Sequence, residues 1–240
     1  MPFLVLLAAI AFAVSPLFVP GFGGFDPGRF PIPQVDPPVQ PAGYAFGIWG
    51  LIYAWLVIGA AFQAWKRRDD PAWGPIRLPL LITLAIGAAW LPVAKVSPIW
   101  ATILIWAMWL PAILALLRAP RRDAWAGRAP VGLYAGWLTA ASCVSLGLMA
   151  GGYGWTGETP AAIGALALAL GLTLGVMGLR PDAPAYPAGV VWALIGVIVA
   201  NWPDGPVWVL ALAALGALGL AAMATRNALR HNARAPASSR

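Results

Sequence analysis

The residues that could carry acid–base, nucleophilic or metal chemistry are few in this chain and poorly spaced for it. It has one histidine, His231, one cysteine, Cys143, and eight acidic residues. Each acidic residue falls in a loop or at the end of an apolar run. Proton relays and ion-coupling sites place such groups within membrane helices, so that class of chemistry is disfavoured. His231 sits in a basic tail and has no zinc-type spacing to Cys143. Ser142, Cys143 and Ser145 share one segment, yet none has a base nearby to activate it as a nucleophile. They read as packing and interhelical hydrogen-bonding groups. The sequence therefore predicts no catalytic residue, no metal site and no obligatory cofactor.

What the chain offers instead is aromatic surface, with fourteen tryptophans in 240 residues. Trp65, Trp73, Trp100, Trp125, Trp155, Trp202 and Trp208 lie at or beyond the ends of apolar runs, where amphipathic rings collect at a membrane interface. Trp49, Trp55, Trp106, Trp109 and Trp137 lie deeper, about 7 Å or more along their helices. Helical spacing puts Phe46, Trp49 and Tyr53 on one face. The same rule groups Tyr134, Trp137, Ala141 and Ser145, and separately Thr83, Gly87 and Trp90. Rings mixed with small residues and hydroxyls suit the wall of an apolar cavity with a few polar handles. Rings turned toward lipid would show the same spacing. The candidate ligand-binding residues are Phe46, Trp49, Tyr53, Trp90, Tyr134, Trp137, Ala141 and Ser145.

The elements that must position these residues are membrane helices. Hydrophobic residues make up 61% of the chain and charged residues 10%, with a mean hydropathy of +0.79. A crossing needs about 20 apolar residues. Eight runs qualify, at Pro2–Pro20, Tyr44–Trp65, Leu78–Ala94, Pro98–Leu117, Pro130–Ala150, Pro160–Leu179, Tyr186–Trp202 and Pro206–Thr225. The expected fold is an all-α polytopic membrane bundle of eight transmembrane helices. With alternating crossings, thirteen of the Lys and Arg residues fall on one side and only Arg29 and Lys95 on the other. The positive-inside rule then makes both termini cytoplasmic. The +7 net charge thus reads as topology and contact with membrane lipid, and not as nucleic-acid binding. Ala11-Phe12-Ala13 resembles a signal-peptide cleavage site, but no charged leader precedes it and the apolar run continues, so a retained helix is expected. Arginine in excess of lysine suggests a bacterial inner-membrane protein. Gly171 with Gly175, and Ala213, Ala217 and Ala221, are small-residue faces for helix packing within the chain or between subunits.

Residues 41–53 (PAGYAFGIWGLIY) resemble the start of the second helix in the TspO/MBR family, the tryptophan-rich sensory proteins related to the mitochondrial translocator protein. Trp90-Leu91-Pro92 resembles that family's Trp-Ser-Pro in helix three. Tyr134, Trp137 and Ala141 resemble its Tyr-x-x-Trp and following alanine in helix five. The resemblance covers residues 1–150 and implies a five-helix bundle that binds porphyrins, or in some members sterols and synthetic ligands, under a lid formed by the first loop. Trp49, Tyr53, Trp90, Trp137 and Ala141 would line that pocket, and residues 21–43, rich in proline, would form a stiff lid. Residues 151–225 would add three helices, and 226–240 a basic cytoplasmic tail. The sequence departs from the pattern in three ways. The helix-two motif is one residue shorter between Gly47 and Trp49, which rotates Trp49 by about 100°. Gly87 and Ser145 stand where the family often has asparagine.

Three functions follow as expectations. The first is a receptor or carrier for a flat hydrophobic ligand, with a porphyrin or other tetrapyrrole leading. The second is a structural or assembly subunit, as a homodimer or within a larger membrane complex. The third, implied by the resemblance alone, is light-dependent degradation of a bound tetrapyrrole.

Overall fold

The computed structural model describes residues 1–19 and 23–234. Among these the regular structure is helical, with no strand. Eight α-helices run α1 Pro2–Phe18, α2 Ile48–Lys66, α3 Gly74–Val96, α4 Pro98–Arg118, α5 Arg128–Gly152, α6 Glu158–Leu179, α7 Ala185–Asn201 and α8 Val207–Arg234. Short 3-10 turns occupy Pro27–Arg29, Gly43–Gly47 and Pro71–Trp73. Six helices are long and apolar enough to cross a membrane. α1 and α7, at 17 residues each, span about 25 Å.

Local chemistry explains where the boundaries differ from expectation. The Asp70 carboxylate accepts from the Ala72 amide at 3.0 Å and starts the Pro71–Trp73 turn, which runs directly into α3. α3 therefore begins at Gly74 and not Leu78, and Arg77 lies within it. α4 starts on Ser97, whose hydroxyl accepts from the Trp100 amide, followed by Pro98, a residue suited to the first turn. α8 continues past Thr225 to Arg234, so Arg226 and Arg230 lie within the helix. Cations favour that end of the dipole. The last expected tail residues, 235–240, lie outside the described residues, as do Pro20 of the first predicted run and positions 21 and 22 of the predicted lid.

Packed neighbours define two groups that share one helix. α1, α2, α5, α4 and α3 close a ring, each packing on the next, and α3 returns to α1. α5, α6, α8 and α7 form a second group. α5 belongs to both and is the most enclosed: 83% of its apolar window is buried, against 33% for α2 and 22% for α8. One continuous hydrophobic core runs through both groups. α5 and α7 meet almost backbone to backbone. A Cβ on Gly136 would sit 2.0 Å from the Tyr186 carbonyl oxygen, and one on Gly189 would sit 2.7 Å from the Trp137 amide nitrogen. Only glycine permits that approach.

The basic loops gather at one end and cap helices there. Arg77 donates to the carbonyls of Arg67 and Arg68 at the end of α2, at 2.8 and 2.7 Å. Arg180 donates to the carbonyls of Leu116, Leu117 and Ala119 at the end of α4. These carbonyls have no intrahelical partner, and the guanidinium charge suits the helix terminus. Arg67 pairs with Asp123 at 2.7 Å, and Arg121, Arg128 and Arg180 surround Asp182. The hydrogen bond from Arg67 holds the Asp123 carboxyl below the usual carboxylate range. Burial pushes Asp182 upward, but the Arg180 hydrogen bond and the charges of Arg128 and Arg180 outweigh it and leave the carboxyl low.

Candidate functional site

The site is built around the entry into α2. Gly43–Gly47 is wound as a 3-10 turn, and Phe46 belongs to it and not to the α-helical face that follows. Five residues at 3.0 per turn rotate about 100° further than five α-helical residues. That offsets the missing residue in the motif, and Trp49 points into the bundle. Trp49 and Tyr53 stack at 5.2 Å with their planes 18° apart, as expected of neighbours one turn apart. Phe12 of α1 meets both edge-on, at 5.7 and 4.9 Å. Its ring fits against α3 because position 87 is glycine: a Cβ there would lie 2.7 Å from the Phe12 ring.

Two adjoining chambers lie on the inner face of the five-helix ring, the smaller one closed in part by the first loop and α7. The larger, about 240 Å³, is lined by Phe12, Pro16, Phe46, Trp49, Tyr53, Trp90, Met108 and others. The smaller, about 60 Å³, is lined by Gly24, Phe25, Gln40, Pro41, Phe46, Trp90, Trp137, Ala141, Ser145 and Ala193, among others. Phe46, Trp90 and Ile105 belong to both and form the partition. No described lining residue of either chamber carries a charge.

Seven of the eight candidate residues come together on these walls. Tyr134 does not line either chamber. It is fully buried behind the wall, and its hydroxyl lies 2.8 Å from Thr83 Oγ1. Thr83 spends its own proton on the Met108 carbonyl, so Tyr134 is the donor and is satisfied within the protein. Its ring packs on Phe12 and Trp49 and backs the larger chamber. Trp90 donates to the Ala101 carbonyl at 2.9 Å, which fixes its ring against α4. Ser145 donates to the Ser142 carbonyl, and Trp137 Nε1 is buried with no hydrogen-bond partner among the described residues.

The first loop covers this end and is tied down at both margins. The Ile32 amide donates to the Gly152 carbonyl at 2.9 Å, and Gln34 Nε2 lies 3.4 Å from the Glu158 carboxylate. Beyond them Asn201 donates to the Pro38 carbonyl at 2.9 Å, the Ala42 amide to Gly196 at 3.0 Å, and the Trp192 indole to Ala45 at 2.8 Å. Three consecutive anchors thus come from α7.

The family model described as TSPO-like protein matches residues 32–224. The chain belongs to that family. The match starts within the first loop and extends beyond residue 150 to include α6, α7 and most of α8. Comparison with curated proteins and with solved structures gave no match.

Several residues of this TSPO-like site carry no sequence signal. Phe12, Pro16, Ile105 and Met108 are ordinary apolar residues on α1 and α4, and only packing brings them to the chambers. Ala193 of α7 reaches the smaller chamber from the second group. Other deep tryptophans prove structural. Trp55 donates to the Trp125 carbonyl at 2.7 Å. Trp109 donates to Thr139, which also lies 3.0 Å from the Tyr186 hydroxyl and so joins α4, α5 and α7. Trp106 packs edge-on against Trp109. Trp73, expected at the interface, is only 2% exposed because its turn folds the ring under Phe62 and against Gly127.

Proposed function

We propose that this protein is an integral membrane receptor or carrier that binds a flat hydrophobic ligand in the paired chambers, with a tetrapyrrole as the leading candidate. The observation that carries the reading is the pair of adjoining apolar cavities walled by Phe46, Trp49, Tyr53, Trp90 and Trp137, with no charged side chain on the described lining. Such surfaces favour planar apolar molecules by area and by ring stacking. A tetrapyrrole is larger than either chamber, so its entry requires the Phe46–Trp90 partition to part and the cover to lift. The chain crosses the membrane eight times, with both termini on the cytoplasmic side of a bacterial inner membrane. Support for this comes from the ion pairs that join the basic loops at one end. Titration of the purified protein with protoporphyrin IX should quench tryptophan fluorescence saturably, and Trp137→Ala should weaken binding. Linear, unsaturable quenching would refute the reading.

One observation favours a second reading, assembly with another membrane protein or a second copy. Gly171 and Gly175 of α6 are exposed, and a Cβ at either would meet nothing within 4 Å. This pair does no packing within the chain and leaves an open face of the GxxxG kind. Purification in mild detergent as a stable monomer without a stoichiometric partner would exclude that role.

A further inference from the structure

We propose that the arginines gathered around Asp182 form a binding site for the phosphate of an anionic phospholipid, seated where the two helix groups meet. The site lies at the basic end of the protein and shares no residue with the described lining of either chamber. It stands independently of the ligand proposed for them.

Charge balance separates this cluster from its neighbour. Arg67 and Arg122 face Asp70 and Asp123, two cations against two carboxylates. Asp182, by contrast, is paired with three guanidiniums: its Oδ2 takes Arg121 and Arg128, and its Oδ1 takes Arg180. None of these three arginines pairs with another carboxylate among the described residues, so an excess of two positive charges remains. The side chains of Arg128 and Arg180 are only 12% and 10% exposed. Charge held that far from water is costly until an anion joins it.

The donors left over suit a phosphate. Arg180 already bonds Asp182 and three carbonyls at the end of α4. Arg121 is 83% exposed and reaches Asp182 only through Nε, at 3.5 Å, so its two terminal amino groups have no hydrogen-bond partner among the described residues. Arg128 engages Asp182 through Nη1 alone. A guanidinium with two free N–H groups binds phosphate oxygens through a pair of parallel bonds.

A lipid, and not a free anion, fits the surroundings. Arg180 directly follows Leu179, an apolar side chain 68% exposed, and its Nη1 holds the carbonyls of Leu116 and Leu117. The cluster therefore sits at the rim of the apolar helix surface, where headgroups lie and acyl chains begin. Arg121 and Arg128 come from the α4–α5 connection and the start of α5, and Arg180 and Asp182 from the α6–α7 connection. A phosphate bound to them bridges the five-helix ring and the second group.

The test is native mass spectrometry of the full-length protein, delipidated in a neutral detergent, with added dioleoylphosphatidylglycerol or dioleoylphosphatidylcholine, which have identical chains. One phosphatidylglycerol should bind about thirtyfold tighter than phosphatidylcholine, the scale of two uncompensated arginines at a membrane surface. Arg121→Gln removes one of the free forks and should weaken phosphatidylglycerol about fivefold. Its thermal midpoint without lipid should match wild type, because the side chain is exposed. Arg68→Gln removes an exposed cation at the same end, outside the site, and should change the affinity by less than about twofold. Equal affinity for the two lipids, or equal losses from Arg121→Gln and Arg68→Gln, overturns the proposal. Displacement of phosphatidylglycerol by millimolar inorganic phosphate assigns the cluster to a soluble anion and overturns it as well.

Discussion

The strongest mechanical consequence of this fold is that the cover over the chambers is held by α7. Asn201 and Trp192 each donate one side-chain hydrogen bond to it, to the carbonyls of Pro38 at 2.9 Å and Ala45 at 2.8 Å. A buried or half-buried hydrogen bond contributes about 1 kcal/mol net. The double variant Trp192→Phe/Asn201→Ala should therefore weaken the anchorage by about 2 kcal/mol, which raises the open population roughly thirtyfold. Phenylalanine keeps the edge-on contact with Tyr44, at 5.7 Å in the wild type, so the loss is confined to the donor. The Ala42 amide, which donates to Gly196, reports directly on opening. Hydrogen–deuterium exchange of a peptide covering residues 38–47 should accelerate by about that factor, because exchange follows the opening equilibrium when closing is fast. Exchange in α3 and α4 should stay unchanged. The variant should also take up and release protoporphyrin faster. Unchanged exchange in 38–47, or acceleration confined to α7 itself, would refute the anchoring argument. The second outcome would mean that the loss of the Asn201 bond to the Val197 carbonyl, and not the release of the cover, dominates.

Three further outcomes follow from the same contacts. Gly136→Ala should sharply lower the yield and the thermal midpoint of the purified protein, at a cost of about 3 kcal/mol or more, because the added Cβ meets the Tyr186 carbonyl and a backbone group cannot swing aside. Gly171→Leu should change the stability by no more than about 0.5 kcal/mol and so leave the thermal midpoint near that of wild type, since nothing lies within 4 Å of its Cβ; a drop in oligomer mass by light scattering would place a partner there. The Asp182 carboxyl, 5% exposed, is held low, so its contribution is present above the unfolded-state value of about 3.9 and is lost as pH falls through the lower folded value. Thermal midpoints should therefore be level from about pH 7 to 5 and fall below about pH 4. Asp182→Asn should lower the midpoint at neutral pH, because Arg128 and Arg180 then face one another without a counter-charge, and should flatten the acid limb.

Much of the architecture is legible in the chain because the membrane imposes a strong rule. Apolar runs bounded by Pro, Gly and charge give helices close to those observed, apart from the late start of α2 behind the Gly43–Gly47 turn, the early start of α3 and the extension of α8. The early start of α3 arises from short-range chemistry, the Asp70 cap, that a hydropathy pattern does not record. Residue type likewise singles out the tryptophans, but not their partners. Trp73 and Trp137 are the same residue with similar burial, yet one is wedged under Phe62 and the other lines a chamber.

By itself, then, the sequence determined that the chain is a helical membrane protein with neutral, aromatic helix faces, because hydrocarbon tolerates little else over such lengths. It also determined which residues share a face, since helical periodicity is local. Only the tertiary structure decided where those faces point. The tighter winding of Gly43–Gly47 turned Trp49 inward, Gly87 admitted Phe12, and Thr83 took the Tyr134 hydroxyl out of reach of any ligand. The role of α7 as an anchor for the cover rests on contacts between residues more than a hundred positions apart. Such contacts depend on how whole helices rotate and close upon one another, and a periodicity of three to four residues carries no record of that.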